Sequence, residues 1–304
     1  MKQFAWQGRQ VSKIALGSTN FGEPMSISES WRVMDYAREQ GINFFDTARI
    51  YGYWYQDGGR NGYCEKVIGD YMRSRGCRNE IYLVTKGAHP PFEDRSASRL
   101  TPECLREDLE GSLRDLGTDH IDLYFLHRDH PNMDLPAVME TLHDFIKEGK
   151  VLSLGASNWH YDRIVEANAY AKKHDLTPFC ASQVEWSMAK LADGTAGDKT
   201  QVVLTPEERT GRAGCCSWLI LLRRMDYSVR RRPREDMRRW RRLASWENIK
   251  IRRMRIASKR RLPCASGTVF RRPRWLYLIS PARHFRRYRS WGVPGKSRWR
   301  ILCQ

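Results

Sequence analysis

Four side chains in the first half of the chain have the chemistry to protonate a carbonyl oxygen together. Asp46 and Tyr51 lie in "NFFDTARIYG", where an apolar run meets a turn, and the runs "IYLVTK" and "IDLYFLH" end in Lys86 and His127. A phenol by itself is a poor acid near neutral pH, since its ordinary pKa is about 10. A nearby ammonium lowers the pKa of a phenol, a carboxylate orients that ammonium, and an imidazole can hydrogen-bond the substrate oxygen. Together such groups would donate a proton while a hydride arrives at the carbonyl carbon.

The elements that must hold these residues alternate regularly through residues 1–209. Apolar runs typical of strands alternate with amphipathic helical segments, which is the pattern of a parallel sheet covered by helices. A hairpin is predicted in "KQFAWQGRQVSKIALGS", and six strands follow in 14–16, "NFFDT", "IYLVTK", "IDLYFLH", "VLSLGAS" and "FCASQVEWS". Helices are predicted between the strands in "SISESWRVMDYAREQG", "CEKVIGDYMRS", "TPECLREDLEGSLRDLG", "PAVMETLHDFIKEGK" and "YDRIVEANAYAKKHD". The first helix should begin after Ser26, with Glu29 completing a capping box, or else after Ser28.

Polar residues stand at the carboxyl ends of these predicted strands. Besides the four residues above, they are Ser157 with Asn158, and Gln183 with Glu185. In a (β/α)₈ TIM barrel all such ends open on one face, where that fold places its active site. An open, doubly wound sheet is the alternative, but it would usually carry a glycine-rich GxGxxG turn after its first strand. The segment "LGSTNFGEP" has no such turn, so we predict the barrel.

Each of the four candidate residues also has an ordinary structural interpretation. Asp46 could cap a strand end, Tyr51 could be a rim aromatic, Lys86 a surface charge and His127 a buried core histidine. His89 and His130 are expected in loops. Because the four candidates occur at corresponding ends of successive strands, their joint pattern favours the catalytic interpretation.

Four motifs in chain order, "FFDTARIYG", "LVTKG", "DLYFLHR" and "LGASNW", closely resemble the aldo-keto reductases. The longer connection "YWYQDGGRNGYCEK" and the phrase "LHRDHP" resemble the bacterial oxidoreductase branch that is itself similar to the potassium-channel β-subunits. The resemblance covers residues 12 to about 209. It implies an NADPH-dependent barrel that reduces aldehydes or ketones, with Tyr51 as general acid, Lys86 and Asp46 tuning it, and His127 orienting the carbonyl.

The same resemblance implies where a cofactor and a substrate would bind. Ser157 and Asn158 match the pair that holds the nicotinamide carboxamide in that family, and Gln183 matches a further contact to the same group. Ser18 and Asp46 are also implied as residues that bind NADP(H). Trp54 and Trp159 lie in predicted loops on the active face, where they could line the pocket of a small-molecule carbonyl substrate. A barrel that binds the cofactor for regulation, without rapid turnover, is an alternative that the resemblance leaves open.

The charge of the chain divides sharply near residue 209. Residues 1–209 hold 25 basic and 31 acidic residues, whereas residues 210–304 hold 28 basic and 4 acidic residues. The first part therefore carries −6 and the second +24, so the excess of basic residues lies in the second part alone. We predict a barrel portion over residues 1–209 and a divergent, arginine-rich tail over residues 210–304.

The tail lacks recognisable counterparts of the seventh and eighth strands of the family. Its composition is what a shifted reading frame would produce, which is our hypothesis for its origin, and we expect it to be disordered or poorly packed and to impair the enzyme. The apolar runs "CCSWLILL" and "RWLYLIS" are less favoured candidates for the missing strands. Arginines interleaved with Trp240, Trp246, Trp275 and Trp299 also allow nucleic-acid binding, which we expect to be non-specific.

Other classes of protein are disfavoured by composition and spacing. No apolar run approaches the roughly 20 residues of a membrane span, and the eight cysteines show no CxxC spacing, which disfavours a zinc site or a disulfide framework. No metal is predicted, and a cytoplasmic location is expected. With the family resemblance, which implies NADP dependence, we expect a cytoplasmic aldo-keto reductase of unknown oligomeric state.

Overall fold

The computed structural model describes residues 1–56, 59–186 and 200–204, together with the backbone of two strands at 219–224 and 274–279. The strands are β1 (Gln3–Trp6), β2 (Arg9–Ser12), β3 (Ile14–Gly17), β4 (Phe44–Asp46), β5 (Tyr82–Gly87), β6 (Leu123–Leu126), β7 (Leu154–Ser157), β8 (Ala181–Trp186), β9 (Leu219–Arg224) and β10 (Arg274–Ile279). The helices are α1 (Ile27–Glu39), α2 (Tyr63–Arg75), α3 (Pro102–Leu116), α4 (Leu135–Lys147) and α5 (Tyr161–Lys173), with short 3₁₀ turns at Tyr53–Tyr55 and Arg78–Glu80.

The strands β3 to β8 form a curled parallel sheet in which each strand pairs with the next one along the chain. They are the six strands predicted from the sequence, and a helix follows each of the first five. The prediction of an α/β barrel architecture is therefore confirmed. The antiparallel hairpin of β1 and β2 precedes the sheet, as expected.

Two further strands close this sheet into an eight-stranded barrel. β9 pairs with β8, and β10 pairs with both β9 and β3, all in parallel. These strands come from the runs "CCSWLILL" and "RWLYLIS", so the less favoured of the two predictions for these runs is the one that the structure shows. Pairing satisfies the backbone N–H and C=O groups that six strands alone would leave at two open edges.

Most of the basic tail lies outside the described residues, namely 205–218, 225–273 and 280–304. The expectation of a disordered or poorly packed tail falls largely on these segments. So does the suggested nucleic-acid contact, since Trp240, Trp246 and Trp299 belong to them. The domain boundary at residue 209 and the shifted reading frame stay predictions.

Alternation along the strands sorts their side chains between two apolar clusters. Phe44, Val84 and Phe125 belong to a cluster that also holds Trp6 of the hairpin and no residue of any helix. Their chain neighbours Phe45, Leu83, Tyr124 and Leu126 pack instead in a larger cluster with helix residues such as Leu109 and Leu142. Side chains alternate between the two faces of a strand, so residues two positions apart point to the same side. Asp46, Lys86 and His127 lie two positions beyond the three residues of the smaller cluster and therefore point into the barrel at its carboxyl end. Those positions are the ones that carry the candidate functional residues.

The helices begin where the capping chemistry of the sequence indicates. Ser26 caps α1, and it forms the reciprocal capping box with Glu29. Thr101 caps α3 and Asp134 caps α4, each through a side-chain oxygen that accepts a backbone N–H of the first turn. Among the described residues, no helix is long and apolar enough to cross a membrane.

Candidate active site

Asp46, Tyr51, Lys86 and His127 converge at the carboxyl ends of β4, β5 and β6. The ammonium Nζ of Lys86 donates to Asp46 Oδ2 at 2.8 Å and to the Thr47 carbonyl at 2.6 Å, and it lies 3.4 Å from Tyr51 Oη. All four candidate side chains are buried, with Lys86 only 1% exposed. A buried ammonium must be compensated, and here a carboxylate, a carbonyl and a phenol surround it. The arrangement joins a proton donor to the charge that would stabilise its phenolate.

His127 faces the same phenol from the next strand. Its ring meets the Tyr51 ring edge-on, with centroids 5.9 Å apart. The backbone N–H of His127 donates to the Gly87 carbonyl at 2.8 Å, which ties this residue to the end of β5. The imidazole and the phenol therefore lie side by side at the carboxyl end of the barrel.

The loop that carries Tyr51 is held against the barrel by backbone hydrogen bonds. Thr47 N–H donates to the Val84 carbonyl, and Arg49 N–H donates to the Lys86 carbonyl, both at 2.9 Å. The Tyr51 N–H closes a turn onto the Ala48 carbonyl at 3.0 Å. These contacts place the phenol above the strand that bears its lysine.

The predicted nicotinamide contacts form one network with Asp46. Gln183 Nε2 donates to Asp46 Oδ1 at 3.1 Å, Ser157 Oγ lies 3.5 Å from Gln183 Oε1, and Asn158 Nδ2 donates to Ser157 Oγ at 3.0 Å. Ser157 and Gln183 are register partners on β7 and β8. Asn158 adopts the left-handed conformation with φ 56°, which bends the chain immediately after β7. The structure thus brings these three residues together beside the tetrad.

Two buried hydroxyl groups beside this network support a polar ligand. The Oγ of Ser18 and the Oγ1 of Thr47 are buried and have no hydrogen-bond partner within the described part of the chain. The Ser18 N–H donates to the Asp46 carbonyl at 3.1 Å, which places this serine next to the tetrad. Unpaired buried hydroxyl groups are costly, so their presence fits a site whose partner is a bound molecule. The residues present therefore fit a nicotinamide cofactor.

Comparison with known proteins decides the family. A model of the aldo/keto reductase family matches residues 13–197, a range that contains the tetrad and all of the predicted nicotinamide contacts. The chain belongs to the aldo/keto reductase family. The resemblance seen in the sequence motifs is thereby confirmed.

The relatives of this chain include oxidoreductases and a channel subunit. The uncharacterized oxidoreductase YrpG of Bacillus subtilis is 33% identical over 69% of this chain and 63% of its own length. Norsolorinic acid reductase B of Dothistroma septosporum is 32% identical over 59% of this chain and 47% of its own length. A probable voltage-gated potassium channel subunit beta of Oryza sativa is 28% identical over 62% of this chain and 55% of its own length. This chain therefore spans between about half and just under two thirds of the length of these relatives.

An aromatic wall borders the tetrad of this aldo/keto reductase. The His89 ring lies 4.7 Å from the His127 ring, and Phe92 stacks on both His89 and Tyr53, at 5.8 Å and 5.1 Å. Trp54 meets Phe92 edge-on at 5.7 Å, and its side chain is exposed. Its predicted place at the substrate pocket is consistent with this geometry.

Trp159 lies in a different environment. Its side chain is fully buried, and its ring packs edge-on against Phe179 at 5.4 Å within the apolar cluster that contains the helices. This position favours a packing role. The place of Trp54 at a substrate pocket stays a prediction.

Some residues near the site were missed by sequence reasoning. His89 lies in a loop, as expected, and it is buried against His127. Arg128 is also buried, and its guanidinium donates to the His127 carbonyl at 3.0 Å and to Thr200 Oγ1 at 2.8 Å. The basic residue directly after the histidine in "LHR" was the available signal. No cluster that could hold a metal ion occurs among the described residues.

Cys64 is a bystander beside this chemistry. Burial raises the pKa of its thiol to about 12, and the thiol donates to the Phe21 carbonyl at 3.3 Å. A thiol with such a pKa stays protonated near neutral pH and is a poor nucleophile. Its contribution here is packing.

Proposed function

We propose that this aldo/keto reductase family member reduces an aldehyde or ketone to the corresponding alcohol, with NADPH as hydride donor and Tyr51 as general acid. The observation that carries the proposal is the buried lysine ammonium within hydrogen-bond reach of both Asp46 and the Tyr51 phenol. The preference for NADPH over NADH rests on family resemblance. The reductases among its relatives support the reaction class.

A bound reduced nicotinamide would supply the hydride to the carbonyl carbon. Tyr51 Oη would donate its proton to the carbonyl oxygen, so that the substrate gains one hydride and one proton and leaves as an alcohol. The Lys86 ammonium would stabilise the phenolate that remains, and Asp46 would hold the ammonium in place. His127 would hydrogen-bond the carbonyl oxygen and orient it toward Tyr51.

The residues that would hold the nicotinamide ring are those with amide side chains. Asn158 and Gln183 offer both donors and acceptors for a carboxamide, and Ser157 adds a hydroxyl between them. Ser18 would approach the cofactor with its buried hydroxyl. Trp54 would border a small-molecule carbonyl substrate at the rim.

We further propose that turnover by this chain is low. The match to the family ends at residue 197, and the family features that grip the 2′-phosphate are not recognisable after residue 209. Remote binding energy normally positions the reacting ring, so weaker contacts there would lower both affinity and rate. Replacing residues 210–304 with the product of the alternative reading frame should then raise turnover, and an unchanged rate would contradict this proposal.

The relative among channel subunits favours a second candidate, a nicotinamide-binding barrel with a regulatory role. Steady-state assay separates the two candidates. The purified chain is titrated with NADPH while its tryptophan fluorescence is followed, and NADPH consumption is measured with an aromatic aldehyde. Reduction with loss of activity in Tyr51→Phe supports the reductase, whereas cofactor binding without reduction supports the regulatory barrel. Tyr36→Phe, an exposed change on α1, is the matched control and should behave like the parent.

A parent chain that neither binds NADPH nor reduces the aldehyde would refute both candidates. The cytoplasmic location stays a prediction.

A further inference from the structure

Arg49 connects the loop between Asp46 and Tyr51 to the neighbouring strand and helix. Its backbone N–H donates to the Lys86 carbonyl at 2.9 Å, and its own carbonyl accepts the Gly62 N–H at 2.6 Å. The first contact joins the loop to β5, and the second joins it to the start of α2. Arg49 therefore anchors the loop two residues before the phenol.

The side chain of Arg49 extends this anchor to two helices. Its Nη1 donates to Glu65 Oε2 of α2 at 3.1 Å and to Asp115 Oδ2 of α3 at 2.5 Å. Glu65 is completely buried, and its other oxygen accepts the Thr85 hydroxyl at 2.5 Å. Because Thr85 directly precedes Lys86 in β5, the contacts form a closed ring that runs from the loop through α2 and back to the lysine strand.

Two glycines leave room for this guanidinium. A Cβ at Gly111 of α3 would lie 2.6 Å from Arg49 Nη2, and a Cβ at Gly62 would collide with Nη1 and with the Asp115 carboxylate. Gly62 also adopts φ 85°, a conformation that other residues rarely adopt. The passage between α2 and α3 is thus shaped for an arginine.

The electrostatics of the passage keep the guanidinium charged. Burial lowers the pKa of Arg49, but the Glu65 and Asp115 carboxylates more than offset this effect, so the pKa is raised overall. For Glu65, burial raises the carboxyl pKa and is only partly opposed by Arg49. Removing the arginine would leave a fully buried carboxyl group with its hydroxyl partners alone.

We propose that Arg49 is a positioning residue that holds the Tyr51 phenol against Lys86. The Tyr51 N–H donates to the Ala48 carbonyl, and the Tyr51 carbonyl accepts the Cys64 N–H at 3.3 Å. The backbone of Tyr51 therefore follows the anchored loop. The 3.4 Å approach of Lys86 Nζ to Tyr51 Oη depends on that backbone. Arg49 acts through Tyr51, and the inference rests on the proposed function because it concerns the same proton-transfer site.

The test compares Arg49→Met with Arg9→Met. Arg9 also pairs with a buried carboxylate, Asp122, but it does so at the opposite end of the barrel. Asp115 keeps Arg60 at 3.9 Å in Arg49→Met, and Asp122 keeps Arg78 at 3.0 Å in Arg9→Met, but Glu65 loses its arginine in Arg49→Met. The two variants thus share the loss of one arginine from a buried carboxylate and differ in their distance from Tyr51, while the extra loss at Glu65 is controlled by the double variant described below.

A misplacement of about 1 Å can cost on the order of a hundredfold in rate. We expect Arg49→Met to lower kcat roughly ten- to hundredfold with NADPH affinity unchanged. Arg9→Met should keep the kcat of the parent. Equal kcat in the two variants would overturn the proposal.

A double variant separates positioning from plain stability. Glu65→Gln removes the buried acid that Arg49→Met leaves behind, while its amide oxygen still accepts the Thr85 hydroxyl. We expect the combined variant to regain part of the lost thermal stability but not the kcat. Recovery of kcat together with stability would show that Arg49 serves the fold alone.

A final readout does not depend on activity. With ¹³C-labelled tyrosine, the Tyr51 ring signal is assigned by its loss in Tyr51→Phe and followed by NMR. It should move or broaden in Arg49→Met and stay in place in Arg9→Met. If the parent chain reduces no carbonyl, the proposed function fails while this measurement still decides the inference; an unmoved Tyr51 signal in Arg49→Met overturns the inference whatever the activity.

Discussion

The two ends of the barrel both bury ion pairs, but they leave different groups unpaired. At the amino end, Asp122 contacts Arg9 and Arg78, and it accepts the Leu83 N–H at 2.8 Å. At the carboxyl end, the Lys86 and Asp46 pair lies beside the Ser18 and Thr47 hydroxyls, for which the described residues provide no partner. The Asp122 carboxylate is satisfied by the protein itself, whereas the pair at the carboxyl end has buried hydroxyl groups beside it that a ligand can satisfy.

This difference explains how a buried ion pair can serve stability at one end of the barrel and chemistry at the other. A buried carboxylate with a cation holds the chain together wherever all of its hydrogen-bonding groups are used. In the proposed function, the same kind of pair would support proton transfer because it adjoins a phenol. Changes at the two ends should therefore separate stability from chemistry.

The largest expected effect is that of Lys86→Met. Loss of the ammonium removes the charge that stabilises the Tyr51 phenolate, and it leaves Asp46 with Gln183 as a hydrogen-bond partner. We expect carbonyl reduction to fall by at least about a hundredfold, measured as NADPH consumption per folded molecule. Lys147→Met, at an exposed position near the end of α4, is the control and should keep the parent rate. If Lys86→Met unfolds the protein yet its folded fraction turns over normally, Lys86 is structural.

Asp122→Asn should lower the stability of the protein and leave the reaction rate unchanged. It leaves two arginines without their buried counter-charge, so we expect the free energy of unfolding to fall by about 3 kcal/mol, measured by urea denaturation. The kcat of the folded fraction should match that of the parent. A large loss of kcat would show that the two ends are not independent.

His127→Ala should have a smaller effect on the reaction. Removing the imidazole takes away one hydrogen bond to the carbonyl oxygen while Tyr51 and Lys86 remain, so kcat/KM should fall roughly tenfold to a hundredfold. NADPH affinity, measured by fluorescence quenching, should stay the same. An unchanged kcat/KM would assign His127 to core packing.

The smallest effect concerns Cys64. Because burial raises the pKa of this thiol to about 12, iodoacetamide at mildly alkaline pH should leave Cys64 unmodified in the native protein. Half-buried Cys104 at the start of α3 is the comparison. Peptide mass mapping measures both sites, and urea should make Cys64 reactive. Rapid native alkylation of Cys64 would mean that the carboxyl end of the barrel opens more readily than its packing indicates.

Local patterns predicted much of this fold and of its site. The alternation of apolar runs with amphipathic helices placed six strands and five helices close to their observed bounds, and the spacing of Ser26 and Glu29 predicted the capping box of α1. The four candidate catalytic residues were predicted at strand ends, and they converge there. These features depend on residues a few positions apart, so sequence alone suffices for them.

Contacts between distant residues could not be predicted in the same way. Arg49 meets Asp115 across 66 positions of the chain, and nothing in the periodicity of either segment indicates that partner. Trp159, which was predicted at the substrate pocket, is buried in the apolar cluster that contains the helices, because a position in a loop does not tell on which side a ring packs.

The sequence by itself determined the family, the element order and the residue types at the strand ends, because hydrophobic periodicity and capping act locally. Only the tertiary structure decided that β9 and β10 close the barrel, although their surroundings in the chain have no family resemblance. Backbone pairing explains this result, because two open sheet edges present unpaired N–H and C=O groups. An extended apolar run can pair with these groups through its backbone, whatever the exact identity of its side chains. The tertiary structure also decided which buried ion pair lies beside a phenol, because that choice depends on which strand ends meet in space.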